Sequence, residues 1–280
     1  MNVYGSMDRQ ALDAAYNNSA AVADSDRYLA DWLRRSEALR VRMPDHLDLV
    51  YGNAPRAKLD FFATNCTGAA TLLFFHGGYW QRNAKEGFSF VAEGPLAHGF
   101  HVAIAGYTLA PEATMDSIVG EARTALRWLH QNLATLGGHP ARLYVSGWSA
   151  GGHLTAMLMD EAAVAGGLAI SGLFDLEPIR LCYLNEKLGL DTDEGEAQQP
   201  VAESAVTRGQ AHHRLRLGRA ARAETSITRI RGGVGRARPS GGDSRGSRLP
   251  PLCRGRAACT AGWRSREGAR GLCGDRGGPD

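Results

Sequence analysis

The serine best placed for nucleophilic chemistry is Ser149, which lies in a G-x-S-x-G pattern at residues 147–151. An apolar run at residues 143–146 precedes this pattern, and a helix-like segment at residues 153–158 follows it. Glycines on both sides of a serine allow a sharp strand-to-helix turn that exposes the hydroxyl above a sheet. The context predicts that Ser149 is a catalytic nucleophile, and the alternative is a tight turn with a structural role only.

A second glycine-rich turn, HGGYW at residues 76–80, follows the apolar run TLLFF at residues 71–75. Backbone N–H groups in such a turn can bind the oxyanion of an acyl-transfer intermediate without reorganising. We therefore predict an oxyanion hole whose backbone donors come from Gly77, Gly78 and Tyr79 and from Ala150, the residue after the serine. An ordinary Gly-Gly turn after a strand is the alternative.

The elements around these two turns predict strands that alternate with helices. A helix is predicted from residue 116 to 136, because its apolar positions fall on one face and a Gly-Gly pair with a following proline ends it. It follows a polar, amphipathic lead at residues 11–40 and two strands that form a hairpin. The predicted strands are residues 46–51, 58–62, 71–75, 101–106, 142–146 and 167–171. This order predicts an α/β fold with a mostly parallel sheet covered by helices.

Residues 10–205 resemble the α/β-hydrolases, and within them the arylformamidase or kynurenine formamidase group and its esterase relatives. HGG alone is shared by many lipases and esterases, whereas the aromatic pair followed by Gln81 is typical of the formamidase-like group. The segments that carry the resemblance are YNN at 16–18, FFHGGYWQ at 74–81, YTLAPE at 107–112, GWSAGGH at 147–153 and GLFDL at 172–176.

The resemblance implies an α/β-hydrolase fold with a Ser-Asp-His triad that hydrolyses N-formylkynurenine to kynurenine and formate, or cleaves small esters. It implies a small-molecule substrate and neither a metal nor an organic cofactor. Three side chains are assigned to the pocket: His76, Trp80 and Trp148. Because His76 precedes the nucleophile, we expect it to pack or to fix the loop rather than act as the base, and we expect Trp80 to form a wall.

The sequence changes character beyond residue 207. Residues 208–280 contain 17 arginines, no lysine, five acidic residues and 15 glycines, which gives a net charge of +12. The 15 basic and 24 acidic residues of 1–207 give a net charge of −9. We predict an incomplete hydrolase domain at 1–207, truncated of its last strands, and an irregular tail at 208–280. Arginine and glycine enrichment without lysine is typical of a high-GC coding sequence read in the wrong frame.

The acid and base of a triad are not found in this sequence. Hydrolases of this type place the histidine in a late loop, usually as a His-Phe pair, and no such pair occurs here. After Ser149 there are only His153, within the elbow helix, and the tail residues His212 and His213. Four of the carboxylates that follow the serine are candidate acids by position alone: Asp175, Glu177, Asp191 and Asp193. Asp175 matches a loop motif of the family and is expected to be structural, and without a base a serine hydroxyl is a poor nucleophile.

Two further interpretations remain open. One is a hydrolase-like binding module that has a pocket but no triad. The other is nucleic-acid binding by the arginine-rich tail, which we disfavour because Trp263 is the tail's single aromatic residue. The chain has no apolar stretch of about 18 residues, so we expect no membrane span and a cytoplasmic location. The oligomeric state does not follow from the sequence.

Overall fold

The computed structural model describes residues 1–200. The predicted tail at 208–280, with His212 and His213, lies outside the described residues, as does the prediction that the last strands are missing. Within residues 1–200 the chain forms a central sheet with helices on both faces.

The sheet has six strands among the described residues, in the order β1-β2-β4-β3-β5-β6. The strands are β1 (Leu49–Val50), β2 (Lys58–Phe62), β3 (Ala69–Phe75), β4 (His101–Ala105), β5 (Gly138–Trp148) and β6 (Gly166–Ile170). β2 pairs antiparallel with β1 and β4, whereas β4, β3, β5 and β6 run parallel. The sheet is mixed and mostly parallel, so the predicted fold class and the predicted hairpin are confirmed.

Residues 1–200 also form nine α-helices and one 3₁₀ helix, of which α4, α5, α6 and the 3₁₀ helix connect strands. The α-helices are α1 (Arg9–Ala15), α2 (Asn18–Ala21), α3 (Ser25–Arg42), α4 (Glu93–Ala97), α5 (Met115–Asn132), α6 (Ala150–Met157), α7 (Glu177–Leu181), α8 (Asn185–Leu188) and α9 (Thr192–Ala197). The 3₁₀ helix is Lys85–Ala92. The amphipathic lead at 11–40 thus becomes three helices, and the left-handed backbone of Asp24, with φ +59°, separates α2 from α3.

Two hydrophobic clusters cover the two faces of the sheet. Side chains of a strand alternate between faces, so Leu73 and Phe75 of β3 pack into one cluster and Phe74 packs into the other. The larger cluster includes the apolar face of α5 and Leu154 of α6, and the smaller one includes Leu39 of α3 and side chains of the 3₁₀ helix. The result is three layers, with the sheet between two layers of helices.

The central strand β5 is longer than predicted, and the helix before it is shorter. The prediction ended the helix at residue 136, but α5 ends at Asn132, whose side-chain amide donates to the Trp128 carbonyl at 2.8 Å. An asparagine that binds nearby backbone in this way competes with further helix. Gly137 then takes a left-handed φ of +85°, and β5 starts at Gly138, beside Ala69 of β3.

The 3₁₀ helix was not predicted, because contacts distant in sequence hold it. The Lys85 ammonium is buried, and it donates to Asp60 on β2 at 2.8 Å and to Asp48 at 2.6 Å. Arg40 of α3 pairs with the same Asp60 carboxylate. A buried charge requires such partners, so this ion cluster fixes the segment that follows the HGGYW turn.

Candidate active site

Two glycine-rich segments meet where β3 and β5 end. The two strands are parallel neighbours, and Phe75 at the end of β3 is in register with Gly147 of β5. The carboxyl ends of parallel strands lie at the same edge of a sheet, which is where ligands bind in open α/β sheets. The segments that follow, residues 76–80 and residues 149–153, are therefore adjacent.

Ser149 occupies a strained turn between β5 and α6. Its φ of +57° and ψ of −115° lie in a region that residues with side chains rarely adopt. The Ser149 N–H donates to the Ile170 carbonyl at 2.8 Å, and its own carbonyl accepts from the His153 N–H at 3.1 Å. These bonds hold the backbone in the conformation that the G-x-S-x-G pattern predicts.

The glycines around Ser149 are required by close approaches of backbone. A Cβ atom on Gly147 would lie 2.1 Å from the Gly151 carbonyl oxygen, and one on Gly151 would lie 2.0 Å from the Phe75 carbonyl oxygen. Real Cβ atoms do not approach backbone so closely, so any larger residue would push α6 away from β3 and β5. The two glycines thus let the elbow and the end of β3 come into contact.

The HGGYW turn lies against the elbow through its first glycine. A Cβ atom on Gly77 would lie 2.7 Å from the Trp148 carbonyl oxygen and 3.1 Å from the Ser149 Cβ. The next three residues, Gly78, Tyr79 and Trp80, have φ values of +125°, +52° and +56°. This left-handed run turns the chain sharply beside Ser149.

Four amides at this junction have no protein acceptor among the described residues. They are the N–H groups of the residues predicted to form the oxyanion hole: Gly77, Gly78, Tyr79 and Ala150. Ala150 is also the first residue of α6, where helix amides carry partial positive charge. A cluster of such donors can stabilise an anionic oxygen.

His76 belongs to the framework of the turn. Its ring is fully buried and stacks on Tyr107 with ring centroids 4.4 Å apart, and the Tyr107 hydroxyl donates to the His76 carbonyl at 2.8 Å. The ring nitrogen Nδ1 lies 2.9 Å from the Gly77 carbonyl oxygen, which can only accept, so Nδ1 carries a proton. Burial lowers the pKa of His76 to about 4, which leaves the ring neutral at pH 7.

His153 and Trp80 are packed behind the elbow. His153 on α6 is fully buried, its Nε2 lies 2.8 Å from the Gln198 carbonyl oxygen, and burial lowers its pKa to about 4. Trp80 has no exposed surface and contacts the His153 ring at right angles, with centroids 5.0 Å apart. Both rings thus link the HGGYW turn to α6.

Trp148 and two aromatic side chains cover the opposite side of the elbow. Trp148 is half-buried, and its ring centroid lies 5.6 Å from that of Trp32 on α3 and 6.1 Å from that of Phe88. Its ring also packs against Gly77, because a Cβ atom on Gly77 would lie 2.8 Å from it. Trp32 was not singled out from the sequence, because nothing local connects an N-terminal helix to the elbow. These rings give the junction an apolar flank.

No acid–base partner of Ser149 is found within residues 1–200. Its hydroxyl has no hydrogen bond to a histidine or a carboxylate in this part of the chain. Asp175 accepts from the Tyr4 hydroxyl at 2.7 Å and from the Glu177 N–H at 3.1 Å, which is a structural role. Glu177 pairs with Arg180 on α7, Asp191 caps α9, and Asp193 lies in the first turn of α9.

Two other kinds of feature are absent from the described part of the chain. No helix there is long and apolar enough to cross a membrane. No group of three or more histidine, cysteine, aspartate or glutamate side chains there is arranged to hold a metal ion.

Comparisons with known proteins agree with this architecture. Residues 72–233 match a family model described as the α/β hydrolase fold. The chain is 33% identical over 152 residues to a kynurenine formamidase of Danio rerio, a match that covers 51% of this chain and 50% of the relative. It is 33% identical over 97 residues to a carboxylesterase of Mycobacterium tuberculosis, covering 34% of this chain and 30% of that protein. The chain spans about half the length of the formamidases that it matches.

A solved structure extends the comparison over more of the chain. The crystal structure of a putative thioesterase from Silicibacter superposes with a TM-score of 0.62 at 32% sequence identity. The superposition covers 70% of this chain and 76% of the thioesterase. The likeness therefore includes most of both proteins.

Proposed function

Because this chain belongs to the α/β-hydrolase family, we propose that it is a serine hydrolase that acts on a small carboxylic ester or an aryl formamide such as N-formylkynurenine. Ser149 is the nucleophile of this proposal. The amides of Gly77, Gly78, Tyr79 and Ala150 supply the oxyanion donors. We expect Ala150 and at least one of Gly78 and Tyr79 to converge on a point about 3 Å from the Ser149 hydroxyl.

The observation that carries the proposal is the contact between the elbow and the HGGYW turn. Ser149 has the strained φ of +57°, and Gly77 lies so close that a Cβ atom there would be 3.1 Å from the Ser149 Cβ. A nucleophile beside free backbone donors is the arrangement that acyl transfer requires. The relatives named as kynurenine formamidase and carboxylesterase support the two substrate classes.

We also expect this chain to hydrolyse its substrate slowly. Among residues 1–200, neither a histidine nor a carboxylate is hydrogen-bonded to the Ser149 hydroxyl. A serine without its base stays protonated and attacks slowly. This observation also favours a second candidate function, a hydrolase-like module that binds a small carbonyl compound without turning it over. The cytoplasmic location stays a prediction, which cell fractionation can test.

Turnover by the purified full chain separates the two functions. We expect p-nitrophenyl acetate and N-formylkynurenine to be hydrolysed above the buffer rate, and we expect the Ser149→Ala variant to lose that excess. The ratio of the two rates indicates whether the site prefers the ester or the formamide. Hydrolysis at the buffer rate by a folded chain would favour the binding module, and full activity in Ser149→Ala would remove Ser149 from the mechanism.

A further inference from the structure

The carbonyl group of Gly77 accepts two hydrogen bonds from side chains. The His76 ring Nδ1 lies 2.9 Å from this oxygen, and the Asn83 side-chain amide nitrogen also lies 2.9 Å from it. A carbonyl oxygen has two lone pairs, so this acceptor is fully used. The direction of the Gly77 carbonyl is therefore fixed from two sides.

Fixing this carbonyl also fixes the amide of the next residue. The Gly77–Gly78 peptide is trans, and in a planar trans peptide the C=O and the N–H point in opposite directions. The Gly78 N–H thus points away from the two donors. It is one of the amides without an acceptor in the described part of the chain, so it stays available to a ligand oxygen.

Asn83 is itself held in place by its backbone. Its φ of +76° is left-handed, a conformation that Asn, Asp and Gly adopt more easily than other residues. The Arg56 guanidinium donates to the Asn83 carbonyl and, at 2.9 Å, to the Tyr107 carbonyl. The Asn83 amide nitrogen also lies against Gly78, because a Cβ atom on Gly78 would be 2.7 Å from it. The side chain is therefore held against the Gly77–Gly78 peptide.

We infer that Asn83 is a positioning residue, which aims the Gly78 N–H at the oxyanion by holding the Gly77 carbonyl. This inference rests on the proposed function, because it concerns the oxyanion-binding amide of the same site. It adds a side chain that neither the G-x-S-x-G pattern nor the HGGYW motif contains. Asn83 touches no reacting atom and acts only through the peptide.

Two substitutions remove the side-chain donor of Asn83 but keep a residue that tolerates its left-handed backbone. Asn83→Asp keeps the shape and the tolerance of a left-handed φ but places a carboxylate oxygen against the Gly77 carbonyl. Asn83→Gly keeps the positive φ and removes the side chain, so it provides a second test if the first variant folds poorly. Asn53→Asp, at the exposed turn between β1 and β2, is the matched control.

The measurements are hydrolysis of p-nitrophenyl acetate and binding of phenylboronic acid by titration calorimetry, both on the full chain. The serine oxygen adds to boron while the serine hydroxyl proton is released to solvent, so the adduct is a tetrahedral boronate anion that resembles the intermediate. Its binding should be lost in Ser149→Ala, which shows that the probe uses this site. Loss of one oxyanion donor lowers kcat by about 10²- to 10³-fold. In the Asn83 variants the Gly78 N–H is still present but misdirected, so we expect kcat to fall by roughly 10- to 100-fold.

Both Asn83 variants should show a lower kcat with an unchanged KM and weaker binding of the boronic acid. The loss of kcat in Asn83→Asp relative to the parent should become smaller as the pH falls towards about 4, because a protonated carboxyl can again donate to the Gly77 carbonyl. The loss of kcat in Asn83→Gly relative to the parent should be the same at every pH, because glycine has no group that titrates. A purely structural role would not produce this difference.

Three other results would decide between the role of Asn83 and the hydrolase proposal. Equal kcat and equal boronic acid binding in parent and variants would overturn the role of Asn83. Boronic acid binding that depends on Asn83 in a parent without turnover would support the positioning role and contradict the hydrolase proposal. A folded parent that neither binds the boronic acid nor hydrolyses the ester would overturn both.

Discussion

The backbone of Ser149 stores strain at the point where we expect chemistry. A conformation such as φ +57° and ψ −115° costs on the order of 1–3 kcal/mol for a residue with a side chain. It persists because the Ser149 N–H is bonded to Ile170 and its carbonyl is bonded to the His153 N–H. The surrounding structure thus holds Ser149, which is buried with 9% of its surface exposed, at the carboxyl end of β5.

Gly77 should tolerate no side chain. In Gly77→Ala the new Cβ would lie 2.7 Å from the Trp148 carbonyl oxygen and 2.8 Å from its ring, so the turn must move away from Ser149. Overpacking of this kind lowers the free energy of unfolding by about 1–3 kcal/mol, which urea denaturation measures. Gly87→Ala is the control, because a Cβ there meets nothing within 4 Å. Equal losses in the two variants would contradict the close contact.

Two buried histidines should make the protein less stable in weak acid. Burial lowers the pKa of His76 and of His153 to about 4, below the value of about 6.5 in an unfolded chain. Between these pKa values the unfolded chain binds more protons than the folded chain. The free energy of unfolding is therefore highest above pH 6.5 and decreases as the pH falls. Each histidine should remove about 2 kcal/mol at pH 5 relative to pH 7.

Urea denaturation at pH 5 and pH 7 measures this effect. In His153→Gln the difference between the two pH values should shrink by the contribution of one histidine, because glutamine does not titrate. His98→Gln, at an exposed position, should keep the full difference of the parent. An unchanged difference in His153→Gln would show that this ring is not kept neutral by burial.

At the scale of elements, the N-terminal helix α1 supports the HGGYW turn. Leu12 of α1 is fully buried in the larger cluster, and the Tyr16 carbonyl that follows α1 accepts from the Tyr79 hydroxyl at 3.1 Å. On the other side of the turn, the Gln81 side-chain amide donates to the Leu184 carbonyl at 2.6 Å. Tyr79 and Gln81, which distinguish the HGGYWQ motif, thus connect the turn to two distant segments.

Removing the buried side chain of α1 should therefore be costly. Leu12→Ala is expected to lower the free energy of unfolding by about 2–5 kcal/mol, since it leaves a cavity in a packed core. Leu29→Ala on α3 removes the same atoms at a half-exposed position and should change it by about 0.5 kcal/mol or less. Thermal or urea unfolding of both variants tests this, and similar losses would mean that α1 does not pack as described.

Elements with strong local patterns were predictable, and those held by distant contacts were not. β3 and β5 combine apolar runs with glycine turns, so the existence of both strands and the placement of Ser149 after β5 followed from the sequence, although the start of β5 did not. The 3₁₀ helix depends on the ion pair of Lys85 with Asp60, which is 25 residues away. Asn83 contacts the Gly77 carbonyl only after the chain has turned back on itself. Local propensity contains no signal for either contact.

At the scale of the whole molecule, the division at residue 207 stays a prediction. The charge changes from −9 in residues 1–207 to +12 in residues 208–280, and the second segment lies outside the described residues. Sequencing of the gene around codons 200 to 215 tests whether the reading frame changes there. An unaltered frame would contradict the frameshift hypothesis.

A restored frame should also restore catalysis. We expect the protein with the corrected frame to gain the triad acid and the histidine and to hydrolyse p-nitrophenyl acetate about 10⁴-fold faster than the present chain, which is the typical effect of a triad partner. Ser149→Ala in the restored protein should abolish this gain. High activity in the present chain that is lost when His212 and His213 are both replaced would instead show that the tail supplies the base.

The pairing of β3 with β5 also has a kinetic consequence. The HGGYW turn and the elbow lie about 70 residues apart in the chain, and β4 and α5 are formed from the residues between them. Contacts between distant segments form slowly, because the loop must close before the pairing contributes any favourable energy. During refolding, helices such as α5 can therefore appear well before the Gly77–Ser149 junction exists. A ligand that binds only the assembled junction therefore stabilises the molecules in which this long-range contact has formed.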